Sequence, residues 1–118
     1  MPKCEIEYYE TSRGRCPIAK YLAGLDRKER ATVLKKIDQL EEHGMDMLKW
    51  GHDHLDHHGD GIYVLRAHFL RNRHRVFLFF VHKGKVVLTN ATVKKAGPIA
   101  QSHIKKAKEY RQEYLSRH

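Results

Sequence analysis

The sequence predicts an α+β fold, a mainly antiparallel twisted sheet carrying an N-terminal strand, a helical hairpin and a C-terminal helix. Three observations support it. Residues 62–93 alternate apolar and polar side chains in runs separated by turn residues, two earlier stretches repeat apolar residues at helical spacing, and a further helical pattern follows Pro98. With 118 residues, 41% of them hydrophobic, and no internal repeat, the chain is expected to form one domain over residues 1–118. A chain of that size can bury a core without metal or disulfide staples.

Taken in order, Cys4 to Glu10 reads as a strand with Ile6 and Tyr8 on one face. Pro17 suits the first position of a helix, where its missing N–H costs nothing, and Ile18, Tyr21, Leu22 and Leu25 then fall on one side. Asp26 is placed to cap a second helix with Glu29 completing a capping box, and Val33, Leu34, Ile37 and Leu40 form its buried stripe. Gly44 suits its end. Met45 to Gly61 lacks a clean period and predicts an irregular connection with Met47, Leu48 and Trp50 tucked inward. Three strands follow, Ile62 to Phe69, His74 to His82 and Lys85 to Val93, joined by turns at Arg71-Asn72 and Lys83-Gly84. The last helix carries Ile104, Ala107 and Tyr114, with Leu115 at the margin, on its apolar side, and Lys105, Lys106, Lys108 and Arg111 on the other.

These turns put Arg66, His68, Arg75, Asn90, Thr92 and Lys94 on one face of the sheet. The opposite face, expected to be the core, collects Tyr63, Leu65, Ala67, Val76, Leu78, Phe80, Val87, Thr89, Ala91 and Val93. The basic face has an apolar end as well, formed by Ile62, Val64, Phe79, Val81, Val86 and Leu88, which requires a covering element. Its polar end is a concavity of cations suited to phosphate, because guanidinium binds it bidentately and ammonium is a movable point charge.

Lysine and arginine number 23 against 14 acidic residues, a formal charge of +9, with 10 histidines besides. Nucleic acid or an acidic protein is the natural partner. The apolar run around Val76–Val81 is too short to cross a membrane. Cys4 and Cys16 are too few for a disulfide framework, and the N-terminus lacks a signal-like apolar run, so a cytoplasmic location is expected. His52-Asp53-His54-Leu55-Asp56-His57 matches the H-x-H-x-D-H spacing of zinc ligands in metallo-β-lactamase-fold hydrolases. That fold is a much larger sandwich with further ligands downstream, so a solvated polar loop is expected here, with no metal and no cofactor.

Gly59-Asp60-Gly61-Ile62-Tyr63-Val64-Leu65-Arg66, Arg73-His74-Arg75-Val76-Phe77-Leu78-Phe79-Phe80 and Val93-Lys94-Lys95, in this order and spacing, resemble the phage-derived HigB-type branch of the RelE/ParE toxin superfamily. The resemblance covers nearly the whole chain and implies a RelE-like fold. It also implies the toxin of a type II toxin-antitoxin system, a ribosome-dependent endoribonuclease that cuts messenger RNA and is neutralised by a cognate, helix-turn-helix type antitoxin. Under it, Arg75 matches the arginine that contacts the scissile phosphate, Lys94 and Lys95 the basic pair after the last strand, and Arg66 the recurrent Leu-Arg. The RelE tyrosine near the C-terminus has no clear counterpart in Tyr110 or Tyr114.

Metal-independent RNA cleavage needs a proton removed from a 2′-OH, stabilisation of a pentavalent phosphorane and protonation of the departing 5′ oxygen. One preorganised cation is worth roughly 3 to 4 kcal/mol in such a transition state. The candidate catalytic residues are Arg75, Arg66, Lys94, Lys95 and His57, with His54, His58 and His68 as the other imidazoles able to carry the proton. His54, His68, Arg73, Lys105 and Lys106 are the expected RNA contacts. Two other readings compete, a ParE-like gyrase inhibitor that acts by protein binding without hydrolysis, and a nucleic-acid-binding module without catalysis.

Overall fold

The computed structural model describes residues 3–82, 84–94 and 97–118. Along the chain these form β1 (Glu5–Tyr8), α1 (Pro17–Ala23), α2 (Arg27–His43), a 3-10 helix (Gly44–Trp50), β2 (Leu55–His57), β3 (Tyr63–Phe69), β4 (Asn72–Val81), β5 (Lys85–Lys94) and α3 (Gln101–Arg117). The sheet order is β1-β5-β4-β3-β2, with β1 parallel to β5 and every other neighbour antiparallel. The expected α+β architecture is the one observed. One side of the sheet carries the α1–α2 hairpin, over a core that includes Ile18, Leu22, Val33, Ile37, Leu40, Leu65, Val76 and Leu78. The other carries α3, whose Ile104, Ala107 and Tyr114 cover Val64, Phe77, Phe79 and Val87.

The hairpin is tied down by polar contacts that helical periodicity does not reveal. Asp26 caps α2 as expected, accepting from the Glu29 amide at 2.9 Å. The Glu29 carboxylate crosses to the sheet, where it accepts from Asn72 Nδ2 at 2.7 Å and meets His74 Nε2 at 2.5 Å. His74 is fully buried and its Nδ1 lies 2.5 Å from the Tyr21 hydroxyl, so one imidazole joins β4 to both helices. Burial and the nearby Glu29 carboxylate push the Tyr21 phenol far up from its ordinary pKa. Arg30 donates to the carbonyls of Leu22 at 2.8 Å and Leu25 at 2.7 Å, fastening the start of α2 to the end of α1 and the turn after it. Gly44 ends α2 at φ 57, with the sulfur of Cys4 only 2.7 Å from where a Cβ would stand. Cys4 leaves no room for a side chain there.

The register differs from expectation in two places. The β3–β4 turn is Leu70-Arg71, since Phe69 pairs with Asn72; the turn moves by one residue and each cross-strand partner by two, which preserves the faces and sets Arg66 directly opposite Arg75. Between β4 and β5 the expected register holds from Arg73↔Lys94 to Phe77↔Asn90, and a bulge then shifts it so that Leu78 pairs with Leu88 and Val81 with Lys85. Thr89 is the extra residue. Val86 and Leu88 therefore join the hairpin core and Val87 lies under α3, the reverse of the regular-strand expectation. The expected Lys83-Gly84 turn includes Lys83, which lies outside the described residues.

Smaller departures share a cause in local packing. Trp50 is 40% exposed, with only Met47 of the expected trio fully buried, and Leu115 and Val93 face solvent. The irregular segment also contains β2, a three-residue strand that pairs with Tyr63–Leu65.

Removing the Glu29 carboxylate strands a buried imidazole. Glu29→Ala is expected to destabilise the fold by about 2–4 kcal/mol, read as a lower urea midpoint at unchanged slope. Glu29→Gln, which keeps an acceptor, is expected to lose less than half as much.

Candidate nucleic-acid interface

Beyond the end of α3's apolar cover, the sheet face becomes basic in two successive rows. Arg66, Arg75 and Thr92 are cross-strand partners over β3, β4 and β5, and His68, Arg73 and Lys94 form the next row. Opposed residues in an antiparallel pair stand about 4.5–5.5 Å apart at Cα, so each row is compact. Like charges directly opposite one another weaken a sheet. Arg66 against Arg75 and Arg73 against Lys94 are two such pairs in succession.

The rows are neutralised unevenly. Arg66 donates to Asp56 Oδ2 at 3.3 Å, and the same carboxylate takes His58 at 3.0 Å and His52 at 2.9 Å. Burial alone would raise the Asp56 pKa, but hydrogen bonds from His52 and Arg66 and the charge of the histidines win and hold it below the ordinary value. Arg75 is only 2% exposed; its Nη2 donates to the Gly97 carbonyl at 2.7 Å, while Nε and Nη1 find no partner among the described residues. Burial, followed by the neighbouring Arg66 and Arg73, lowers its pKa. It forms no ion pair among the described residues, so the centre of the patch keeps a positive charge that no carboxylate offsets.

His68 and Arg73 are exposed and Lys94 is half-buried, its Nζ donating to the Pro98 carbonyl at 3.3 Å. Burial, then the charge of Arg73 with help from Arg66 and Lys36, lowers the His68 pKa against an opposing pull from Asp53. This imidazole is therefore biased toward its neutral, proton-accepting form.

Of the residues singled out from sequence, Arg66, Arg75, Lys94, His68 and Arg73 come together in these rows. His57 does not: it pairs with Tyr63 and packs on that ring at 4.6 Å, on the hairpin side of the sheet. His54 turns toward α2, with Nδ1 2.6 Å from Lys36 Nζ. The H-x-H-x-D-H segment is thus divided between two faces, Asp56 toward Arg66 and His57 toward Tyr63. His58 reaches the patch through Asp56. Lys105 and Lys106 are exposed on α3, with Lys106 held by Glu109 at 3.4 Å and over Tyr110. Lys95 lies outside the described residues.

Sequence reading passes over Lys36 and gives Asp56 only a place in the zinc-like spacing, without its contact to Arg66. Lys36 follows Val33 by three positions and precedes Leu40 by four, so it borders the buried stripe of α2. Its ammonium lies 5.9 Å from the Trp50 ring, and burial lowers its pKa.

Residues 20–112 match the family described as Phage derived protein Gp49-like (DUF891). The chain belongs to the Gp49-like family. It is a family of RelE/HigB-like toxins, associated with toxin-antitoxin pairs, and a Gp49-like toxin implies a cognate antitoxin as partner. No curated protein matches the sequence. Among the described residues, no helix of this Gp49-like chain is long and apolar enough to cross a membrane.

The Asp56 centre makes a pH-dependent contribution to the stability of the Gp49-like fold. A carboxylate whose folded pKa lies below its ordinary value of 3.8 stabilises the fold above that value and loses the effect as pH falls through the folded pKa. Wild type is therefore expected to exceed Asp56→Asn in urea midpoint at pH 6. The difference is expected to shrink as pH falls below about 4 and to vanish only once pH has passed through the lowered folded pKa, where Asp56 is neutral as the amide is.

Proposed function

We propose that this chain is a cytoplasmic toxin that cleaves messenger RNA on the ribosome as a metal-independent endoribonuclease, held in check by a helix-turn-helix type antitoxin. The observation that carries this reading is the pair of basic rows on the sheet face beyond the apolar cover of α3. Their central arginine is opposed by no acid among the described residues, and beside it is an imidazole biased toward its neutral form.

The chemistry assigned to the rows is in-line transesterification. His68 takes the proton from the 2′-OH, whose oxygen attacks the adjacent phosphorus to form a pentavalent phosphorane. Arg73 and Arg66 hold the non-bridging oxygens, and Arg75 adds its positive field from beneath Gly97. Collapse breaks the bond to the 5′ oxygen and leaves a 2′,3′-cyclic phosphate. Lys94 returns a proton to that departing oxygen. Charge on the phosphoryl oxygens grows toward the transition state, so cations fixed there in advance bind it more strongly than the ground state. The pair Lys94 and Lys95 supplies further attraction for the RNA backbone, as do Lys105 and Lys106 on α3.

The test is cleavage of message on translating ribosomes, mapped by primer extension. Wild type is expected to cut. Arg73→Ala and Arg75→Gln are each expected to lose about 10²- to 10³-fold, and His68→Gln about 10²- to 10⁴-fold, with folded spectra retained. The acid limb of the rate profile is expected below pH 6.5, since the basic form of His68 persists below its ordinary value. Message left intact by the wild-type protein overturns the reading, and supercoiling inhibition by that same protein would select the gyrase-binding alternative.

A further inference from the structure

A second basic site lies around the edge of the sheet from the two rows. β2 pairs only with Tyr63–Leu65, and the amide of Arg66 is taken by the His54 carbonyl at 3.0 Å. Past that point the outer edge of β3 has no strand partner among the described residues, and a cleft of about 370 Å³ opens there between β3 and α2. Lys35 and Lys36 line it from α2, Asp53 and His54 from the approach to β2, and Arg66 and His68 from β3. Arg66 and His68 belong to the catalytic rows as well, so the cleft and the rows share a wall.

The cations of this cleft are poorly compensated. Neither Lys35 nor Lys36 forms an ion pair among the described residues, and Asp53 is the single acid in the lining. Lys36 is half-buried, and its ammonium lies against an imidazole and an indole in place of a carboxylate, 2.6 Å from His54 Nδ1 and 5.9 Å from the Trp50 ring. Holding a half-buried ammonium without an anion costs free energy that an incoming phosphate recovers. Trp50, 40% exposed and edge-on to His54 at 5.5 Å, offers an aromatic surface beside the cation. A phosphate contact next to an exposed ring suits a nucleotide of a single strand, whose base can stack while its backbone is held.

We propose that this cleft is a phosphodiester-binding subsite for single-stranded RNA, with Lys36 as its principal contact and Trp50 as the stacking surface. It rests on the reading above in taking RNA as the substrate, and it extends that reading by one nucleotide step around the sheet edge. The backbone runs from the scissile phosphate at the rows, past His68 and Arg66, to Lys36.

Trp50 is the chain's single tryptophan and stands beside the cleft, against its lining residues Lys36 and His54, so its emission reports on what happens at that wall. The test titrates the full chain with a short oligouridine RNA, without ribosomes, following Trp50 emission and, in parallel, the anisotropy of an end-labelled RNA. Wild type is expected to show a saturable emission change matching the anisotropy curve. Lys36→Gln is expected to weaken binding at least tenfold and to reduce the salt slope by about one, while Lys36→Arg stays within about threefold of wild type. Lys108→Gln removes an equal charge from α3, where Lys108 pairs with Asp60, and is expected to bind as wild type does. Equal weakening by Lys36→Gln and Lys108→Gln overturns the proposal, as does RNA binding that leaves Trp50 emission unchanged. Inorganic phosphate that saturates the signal, with RNA adding nothing, also overturns it. Cleavage on ribosomes by protein whose RNA binding ignores Lys36 removes the subsite alone; Lys36-dependent binding by protein that never cleaves removes the nuclease and leaves the subsite.

Discussion

One extra residue in β5 decides what the sheet can do. Thr89 sits in a bulge, fully buried, with its hydroxyl 2.7 Å from Asn90 Oδ1 and 3.2 Å from the Phe77 carbonyl. Asn90 in turn donates to the His103 carbonyl of α3 at 3.2 Å, so the irregularity is anchored to the helix that covers it. On the hairpin side of the bulge Val86 and Leu88 complete a core; beyond it Asn90, Thr92 and Lys94 face the same way as Arg75. Strand alternation is strict, and only a bulge lets a single strand change which parity faces the core. The apolar and basic ends of this sheet therefore have different registers.

The basic end is under electrostatic stress, and its supports explain how it survives. Opposed cations cost free energy in any sheet, and Arg75 adds the cost of a guanidinium taken almost wholly out of water. Asp56 relieves one side by holding Arg66, and the Gly97 carbonyl gives Arg75 a dipole in place of a charge. Other cations of the chain are held by acids, as Lys85 is by Glu7, Arg117 by Glu113 and Lys108 by Asp60. A binding surface for polyanions is the arrangement in which that stored repulsion is released by the ligand.

Much of the fold was legible in the residues, because periodicity reports burial. The three helices, the meander and the sharing of a face by Arg66, Arg75 and Lys94 all follow from spacing and turn chemistry. A two-residue difference in the β3–β4 pairing is harmless because it preserves parity, whereas the single-residue shift at Thr89 exchanges Val86 and Leu88 with Val87. The short strand Leu55–His57 was missed because three residues carry too little alternation to be seen. His57 was drawn to the wrong face for the same reason: with no strand assigned, its side chain had no parity.

The sequence by itself determined the class of fold, the basic character of one sheet face and the toxin-like order of motifs, since these depend on patterns local to each segment. Tertiary structure alone decided which cations stand free. Asp56 reaches Arg66 from the neighbouring strand, Glu29 leaves its own cap for His74, and Lys36 meets His54 and Trp50 from another element. Pairing of charges is a matter of distance between segments far apart in the chain, and no periodicity encodes it.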